Sequence, residues 1–335
     1  MMPDEILIFA EHAGGRLTRA AWEAVSAGQQ LARDLALPAS ACIVGHVGAE
    51  GLAPLPAELA SADLREVLAL DSPQLAEYTA EGTARALGET IRARQPRFVV
   101  FSHTYQVRDF APKLAASLGC GLISDCLGYR NEGNRVIFVR QVFQGKFSAD
   151  VEFAGPSPWL VSFQAGAFRR DAVRRGASPA KVTAAAVALD AAAIRVKPGE
   201  RFREAKQAVD LSQAEIIVAV GRGIKALEHL ELAKKLAEAL GGELGASRPI
   251  CDSGWLPMDR QIGSSGQTVA PKLYVALGIS GAIQHQVGMK GSKTVLAINK
   301  DKEAPIFEVA TYGVASDLFE IVPGLIEAIK KAKGS

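Results

Sequence analysis

The stretch Glu215–Gly242, EIIVAVGRGIKALEHLELAKKLAEALGG, decides the fold class of the C-terminal third of the chain. Its apolar start has the length of a strand and leads into the turn Gly221–Gly223. An amphipathic run then predicts a helix over Ile224–Leu240 that ends at Gly241. A strand that turns directly into a helix is the building unit of a parallel α/β sheet. Such a turn aims backbone N–H groups at an anion beyond the strand, although the third glycine of a GxGxxG fingerprint is absent here.

The same alternation of short apolar runs and amphipathic segments extends over the rest of the chain and predicts an α/β fold throughout. In the N-terminal half, strands are predicted at Ile6–Ala10, Ala41–Val47 and Arg97–Ser102, with helices at Thr18–Leu35, Gln74–Arg94 and Arg108–Leu118. Extended stretches at Arg135–Val142, Ala149–Phe153 and Trp159–Phe163 are typical of antiparallel strands that close this domain. The C-terminal third adds strands at Glu215–Val220, Leu273–Leu277, Thr294–Asn299 and Ile306–Ala310, and a final helix over Asp317–Lys331.

These patterns predict two domains. Residues 1–170 form a parallel-sheet α/β domain with added antiparallel strands, and residues 211–335 form a second α/β domain. Residues 171–210 mix basic residues, alanine, serine and proline without a strong period, which indicates a connector.

Composition and charge exclude several classes of function. The chain has 335 residues, of which 38 are basic and 36 acidic, and this balance argues against nucleic acid or an anionic membrane as the main partner. No window reaches the roughly 18 apolar residues of a membrane span, and the start lacks the pattern of a signal peptide. The four cysteines have the spacing of neither a redox pair nor a zinc site. We therefore expect a cytoplasmic protein without a bound metal or a membrane-inserted segment.

Residues 245–285, GASRPICDSGWLPMDRQIGSSGQTVAPKLYVALGISGAIQH, carry the polar groups of a candidate ligand site. Hydroxyls, amides and backbone N–H groups on glycine-rich turns suit a heterocycle edge and a pyrophosphate. His285 lacks the nucleophile elbow of a Ser–His–Asp triad, because the sequence offers only GISG at 278–281, and it lacks other ligands at metal-binding spacing. Polar residues after the strand at 294–299 suit the adenosine end of a dinucleotide, while Asp317 suits either that role or the N-cap of the final helix.

The segment LYVALGISGAIQH at 273–285, the glycine of QVGMKG and the following AIN resemble the signature of the α (large) subunit of electron transfer flavoproteins. Matches to the same family also occur at GRG (221–223), ASR (246–248), DRQIGSSG (259–266), ASDLFEIVPGLIEAI (315–329), FAEH (9–12) and RDFAPKLAASLGCGLISD (108–125). The resemblance therefore covers essentially the whole chain. It implies FAD as the cofactor and a flavodoxin-like or DHS-like fold for the C-terminal domain.

The resemblance also implies a role for individual residues. Arg222 would lie beside the isoalloxazine ring, Ser265 near flavin N5, and His285 at the flavin O2 edge with Gln284 close by. The flavin, ribityl and phosphate path would be lined by Ser247, Arg248, Ile262, Gly263, Ser264, Ser280, Gly281, Ala282 and Ile283, and the adenine half by Asn299, Asp317 and Leu318. Many family members have threonine at the position of Ser265 and glutamine at that of Ser264, so the N5 contact and the flavin potentials are in question here.

The resemblance also implies a function for the protein. An electron transfer flavoprotein is a heterodimeric electron carrier and not an enzyme that converts a substrate. The resemblance implies a β (small) subunit as partner, contacted mainly by the N-terminal domain, flavin dehydrogenases as electron donors and a membrane-linked quinone oxidoreductase as acceptor. Two alternatives stay open from the sequence: the large subunit of an electron-bifurcating, NADH-oxidising complex, and a stand-alone NAD-dependent enzyme on a related fold.

Overall fold

The computed structural model describes residues 5–46, 53–133, 135–143, 145–199 and 210–334. The chain divides into two compact units. The first unit consists of Met1–Gln141 and Ser148–Arg201, and the second consists of Val142–Phe147 and Phe202–Ser335. The sheet of the first unit is mostly parallel, that of the second unit is parallel, and both are accompanied by helices, which confirms the predicted α/β class. Val47, the predicted end of a strand, and residues 200–209 of the predicted connector lie outside the described residues. The predicted boundaries at residues 170 and 210 stay a proposal.

The first unit is built on one large sheet. Its strands are β1 Ile6–Phe9, β2 His12–Ala13, β3 Arg16–Leu17, β4 Ala39–Gly45, β5 Glu66–Asp71, β6 Phe98–Ser102, β7 Leu122–Glu132, β8 Arg135–Val142, β9 Phe147–Val151, β10 Trp159–Phe163 and β11 Lys181–Ala186. Its helices are α1 Arg19–Asp34, α2 Leu55–Leu59, α3 Ala80–Arg94 and α4 Tyr105–Leu118. Among the described residues, nine strands form the sheet in the order β11-β5-β4-β1-β6-β10-β7-β8-β9, while β2 and β3 form a separate hairpin.

Two segments of this sheet differ from the sequence-based expectation. The prediction that Trp159–Phe163 is antiparallel was wrong, because β10 pairs in parallel with both β6 and β7. Both faces of the strand are covered, since consecutive residues from Leu160 to Phe163 are buried, as is usual for interior parallel strands. Lys181–Ala186 lies in the predicted connector, yet it pairs in parallel with β5 as an edge strand. Its alternating exposed and half-buried residues give too weak an apolar pattern to reveal a strand.

Threonine caps set the starts of the helices in the first unit. Helix α3 begins at Ala80 and not at the predicted Gln74, because the Thr79 side chain accepts a hydrogen bond from the Gly82 N–H. The preceding residues Pro73–Leu75 form a separate 3-10 turn. Thr18 and Thr104 cap α1 and α4 in the same way.

The second unit contains a five-stranded parallel sheet. Its strands are β12 Ile216–Val220, β13 Glu243–Ala246, β14 Leu273–Leu277, β15 Thr294–Ile298 and β16 Tyr312–Val314, and its helices are α5 Leu230–Leu240, α6 Arg248–Asp252, α7 Ile283–Met289 and α8 Leu318–Lys333. The strand order β13-β12-β14-β15-β16 is the flavodoxin-like order, with its topological switch point between β12 and β14. The carboxyl ends of these two strands therefore flank the crevice in which such folds bind ligands.

Two predicted elements of the second unit were wrong in position. The predicted strand Ile306–Ala310 is a 3-10 turn at Pro305–Glu308, and the last strand is instead β16. Ile306 is fully buried but donates its N–H to the Ser280 carbonyl, so its apolar character reflects packing under a loop and not strand pairing. Helix α5 begins at Leu230, six residues after the predicted start, because Lys225 has a positive φ of 69° that breaks the helix.

Candidate cofactor site

Two glycine turns meet at the switch point of the second sheet. The Gly221 N–H donates to the Leu277 carbonyl at 2.9 Å, and the Gly223 N–H donates to the Gly278 carbonyl at 3.0 Å. A Cβ atom at Gly221 would lie 2.4 Å from the Gly278 oxygen, and one at Gly223 would lie 2.6 Å from the Gly278 Cα atom. No side chain fits between these backbones, so glycine is required on both turns. The result is a crevice floor made of main chain.

A third segment, the loop at 261–267, lies against the first turn of α7. Ile262 extends the sheet edge by donating its N–H to the Ala246 carbonyl at 2.9 Å, and Ser264 donates its N–H to the Gln284 carbonyl at 2.7 Å. Gly263 has a φ of +145°, and a Cβ atom there would lie 2.8 Å from the Gln284 oxygen. Segments 262–265 and 282–285, which are separated in sequence by strand β14, are thereby held side by side.

The predicted site residues fall into two groups by exposure. Open to solvent are Arg222, Arg248, Ser264, Ser265, Ser280, Ala282, Ile283 and Gln284. Buried or half-buried are Ser247, Ile262, Gly263, Gly281, His285, Asn299, Asp317 and Leu318. Within the described part of the chain, the Arg222 guanidinium has no ion pair or hydrogen bond, whereas Arg248 is paired with Asp252 at 3.2 Å. Arg222 is thus an uncompensated positive charge on one of the two glycine turns.

Sequence reasoning did not assign a role to Gln261, which orders a predicted site residue. Its side-chain N–H donates to the Ser265 hydroxyl oxygen at 2.9 Å, and the residue is 1% exposed. The hydroxyl proton of Ser265 is therefore free to point away from Gln261. The Gln261 Oε1 atom is buried without a hydrogen bond in the described residues. A glutamine between Arg260 and Ile262 on a short sheet extension gives no sequence signal for this contact.

Asn299 and Asp317 have structural roles at the carboxyl end of β15 and at the start of α8. The Asn299 amide donates to the Ile279 carbonyl at 2.9 Å, which ties this residue to the glycine turn after β14. Asp317 caps α8 by accepting the Phe319 N–H at 3.0 Å, and Lys225 approaches its other oxygen at 3.3 Å. The Phe319 N–H, with Lys225 in addition, lowers the pKa of Asp317. The capping role of Asp317 is observed, and its cofactor role stays a proposal.

His285 is the buried titratable group of the site. Its Nε2 atom shares a 2.8 Å hydrogen bond with the Tyr274 hydroxyl, and its Nδ1 atom is buried without a hydrogen bond to any described residue. Burial lowers the pKa of His285 to about 4, while the Ile262 backbone acts in the opposite direction. The ring is therefore neutral at pH 7. Tyr274 was not predicted as a site residue, because an aromatic residue inside an apolar strand is typical of core.

Two glycine turns packed at the switch point of a parallel sheet, together with exposed serine hydroxyls and an unpaired arginine on neighbouring segments, define a nucleotide-binding α/β protein. Residues 6–190 match the electron transfer flavoprotein domain, and residues 210–290 match the electron transfer flavoprotein FAD-binding domain. The chain belongs to the electron transfer flavoprotein alpha-subunit family, which confirms the resemblance and FAD as its cofactor.

Similar proteins extend over nearly the whole chain. The electron transfer flavoprotein subunit alpha of Thermoanaerobacterium thermosaccharolyticum is 38% identical over 98% of both chains, and that of Bacillus subtilis is 36% identical over 98% of both. The acryloyl-CoA reductase electron transfer subunit beta of Anaerotignum propionicum is 34% identical over 99% of this chain and 97% of its own. Within the ranges that the structure describes, none of the helices is long and apolar enough to cross a bilayer.

The residues present fit FAD on two observations. Glycines at 221, 223 and 278 let the turns after β12 and β14 pack backbone against backbone at the switch point, where such folds bind phosphate groups, and the Nδ1 atom of His285 is buried without a hydrogen bond to a described residue. An orphaned polar atom of this kind is explained by a ligand that completes its hydrogen bonding.

Proposed function

We propose that this chain is the FAD-binding large subunit of a heterodimeric electron transfer flavoprotein that carries electrons from flavin dehydrogenases to a membrane-linked quinone oxidoreductase. The observation that supports this most is the backbone contact between the turns at Gly221–Gly223 and Gly278–Gly281 at the switch point of the sheet, with the exposed Arg222 on the first turn. FAD supplies one-electron transfer when it is bound. The chain's own residues would bind it and adjust the energy of its charge.

Each part of the crevice has a proposed task. The N–H groups of Gly221, Gly223 and Gly278 already donate to protein carbonyls, so the other backbone N–H groups of these two turns would hold the pyrophosphate. Ser264 and Ser265 would offer hydroxyls to the flavin end. Arg222 would place positive charge where negative charge develops on reduction, and its lack of a protein counter-ion leaves that charge available. Asn299 and Asp317 would bound the adenine half. Leu318 would join Asn299 and Asp317 at the adenine half, and His285, with Gln284 close by, would lie at the flavin O2 edge. The remaining predicted residues would line the path between the two ends: Ser247, Arg248, Ile262, Gly263, Ser280, Gly281, Ala282 and Ile283.

The site suits a carrier more than an acid–base enzyme. A general base must be exposed to its substrate and have a pKa near the working pH. His285 is 7% exposed, is hydrogen-bonded to Tyr274 and has a pKa of about 4, so it would be a poor proton acceptor at pH 7. A carrier has no need of a nucleophile or a base, because its residues act on the cofactor's charge and not on a substrate bond.

The proposed partner is the β (small) subunit, contacted mainly by the N-terminal domain. The proposal is supported by the subunit names that relatives of nearly equal length carry. A second candidate is the large subunit of an electron-bifurcating complex that oxidises NADH. It is favoured by the relative named as the electron transfer subunit of an acryloyl-CoA reductase, since that name assigns to the relative an acceptor other than a quinone oxidoreductase.

An absorption spectrum of the chain purified with its candidate small subunit, taken before and after addition of NADH, separates these functions. One flavin per heterodimer that NADH leaves oxidised is the expected result for the carrier. Two flavins, one of them reduced directly by NADH, would establish the second candidate instead. A colourless heterodimer that does not take up added FAD would contradict both.

A further inference from the structure

Tyr274 is a buried residue that the predicted set of site residues omits. It lies on β14 with 0% exposure, and its hydroxyl contacts the Nε2 atom of His285 at 2.8 Å. Like Asn299 and Asp317, His285 is a predicted site residue that is hydrogen-bonded to a fixed partner inside the protein. Within the described residues, the Tyr274 hydroxyl has no other hydrogen-bond partner. The contact therefore decides the hydrogen bonding of both side chains.

The direction of this hydrogen bond follows from counting protons and acceptors. A phenol keeps its proton here, because burial raises the pKa of Tyr274 well above its ordinary value. That proton has one acceptor, the Nε2 lone pair, and would be buried without an acceptor if Nε2 carried a proton of its own. Tyr274 must then donate, and Nε2 must accept.

The remaining ring nitrogen takes the opposite role. A neutral imidazole has one N–H, so accepting at Nε2 places the proton of His285 on Nδ1. Nδ1 is buried, lacks a hydrogen bond within the described residues, and belongs to the turn of α7 that packs against Gly263 and Ser264. The Ile262 backbone favours a proton on this ring, and a carbonyl oxygen of a bound flavin would give the buried Nδ1–H a further acceptor.

We propose that Tyr274 is a positioning residue that fixes His285 as the Nδ1–H tautomer, so that the ring presents a hydrogen-bond donor, and not a lone pair, to a carbonyl oxygen of the flavin. The step from the tautomer to the flavin rests on the function proposed above, whereas the tautomer itself does not. Tyr274 would act on the cofactor only through His285. Removing its hydroxyl while keeping its ring leaves Nε2 without a donor and makes both tautomers accessible.

The tautomer is tested first on the flavin-free chain, by NMR of protein labelled with ¹⁵N in its histidine rings. The ¹⁵N shifts distinguish a protonated from an unprotonated ring nitrogen, and the His285 signals are assigned by their loss in His285→Asn. We expect a protonated Nδ1 and a hydrogen-bonded, unprotonated Nε2 in the wild-type chain at pH 7. Tyr274→Phe should move the Nε2 signal, while Tyr78→Phe, which removes a hydroxyl bonded to Asp109 in the first unit, should not. A proton on Nε2 in the wild-type chain would overturn the proposal without any variant.

The action through His285 is tested by a double-mutant cycle on the FAD-loaded heterodimer, with the first reduction potential as readout. We expect Tyr274→Phe to shift this potential to a more negative value, by less than His285→Asn does, and to have no further effect when His285→Asn is already present. An equal shift in both backgrounds would overturn the proposal, because Tyr274 would then act independently of His285. If the wild-type chain binds no FAD, the proposed function fails, while the NMR result still decides the tautomer.

Discussion

Replacing Arg222 with alanine removes an exposed positive charge that has no ion pair within the described residues. Because this exposed side chain makes no hydrogen bond or ion pair with a described residue, the substitution should change the free energy of unfolding by no more than about 0.5 kcal/mol. If Arg222 stabilises the negative charge that the flavin gains on reduction, the first reduction potential must fall. Lys235→Ala removes another exposed positive charge, from helix α5 of the same unit, and is the matched control.

The size of the shift follows from the energy of a hydrogen bond to a charged group, which is about 1.5–3 kcal/mol. A tenfold change in a one-electron equilibrium corresponds to a free-energy change of about 1.4 kcal/mol and to a change in potential of about 59 mV. The potential should therefore fall by roughly 60–130 mV, and solvent screening of an exposed arginine favours the lower end of this range. Arg222→Lys should fall between wild type and alanine, because it keeps the charge but not the planar fork.

Spectroelectrochemical titration of the FAD-loaded heterodimer at two ionic strengths measures this shift. The difference between wild type and Arg222→Ala should shrink at high salt, since an exposed charge is screened. An unchanged potential in Arg222→Ala, or a shift of the same size in Lys235→Ala, would refute the role given to Arg222.

Three further predictions concern the crevice and its supports. Gly221→Ala should abolish FAD binding, because the added Cβ atom would lie 2.4 Å from the Gly278 oxygen. Gly324→Ala is the control and should leave FAD binding unchanged, because nothing lies within 4 Å of a Cβ atom there. Equal FAD occupancy of the two variants would contradict this prediction. Burial lowers the pKa of His285 to about 4 in the folded chain, whereas the unfolded value is about 6.5. The neutral ring therefore contributes fully to the free energy of unfolding above pH of about 6.5. This contribution is lost as the pH falls from about 6.5 to about 4, by at most about 1.4 kcal/mol per pH unit. Denaturant unfolding of the flavin-free chain at several pH values should show this slope, and His285→Asn should remove that part of it; an identical slope in the variant would disprove the assignment. Asp317→Ala should lower the melting temperature because α8 loses its cap from the Phe319 N–H, whereas Asp317→Ser should restore the cap. FAD affinity that stays low in the serine variant would indicate a carboxylate contact to the cofactor, and full affinity in both variants would exclude one.

The parts of the fold that local patterns determine could be predicted from the sequence. Strand β14 has the predicted bounds, and the turn at Gly221–Gly223 follows a buried strand as expected, because strand length and glycine position are local signals. The direction of β10 relative to its neighbours could not be predicted, because a continuous apolar run does not indicate which strands it pairs with. The strand predicted at Ile306–Ala310 was wrong for a related reason, because burial under a loop and burial in a sheet both favour an isoleucine.

The candidate site shows the same limit at the level of single contacts. The segments that form the crevice were recognisable from their glycines and from the family signature, and the structure brings 221–223, 262–265 and 278–285 together. The contact between Tyr274 and His285 was not recognisable, because the two residues are eleven positions apart on different elements. A tyrosine inside an apolar strand is also typical of a core residue. Tertiary packing, and not sequence pattern, determines which ring nitrogen of His285 carries the proton.

Hydrogen exchange of the heterodimer with and without FAD tests most directly whether the crevice of the second unit holds the cofactor. The account predicts that FAD slows exchange at residues 221–224, 262–266 and 278–285, with smaller effects elsewhere. Protection confined to the first unit or to the small subunit, with these three segments unchanged, would contradict it.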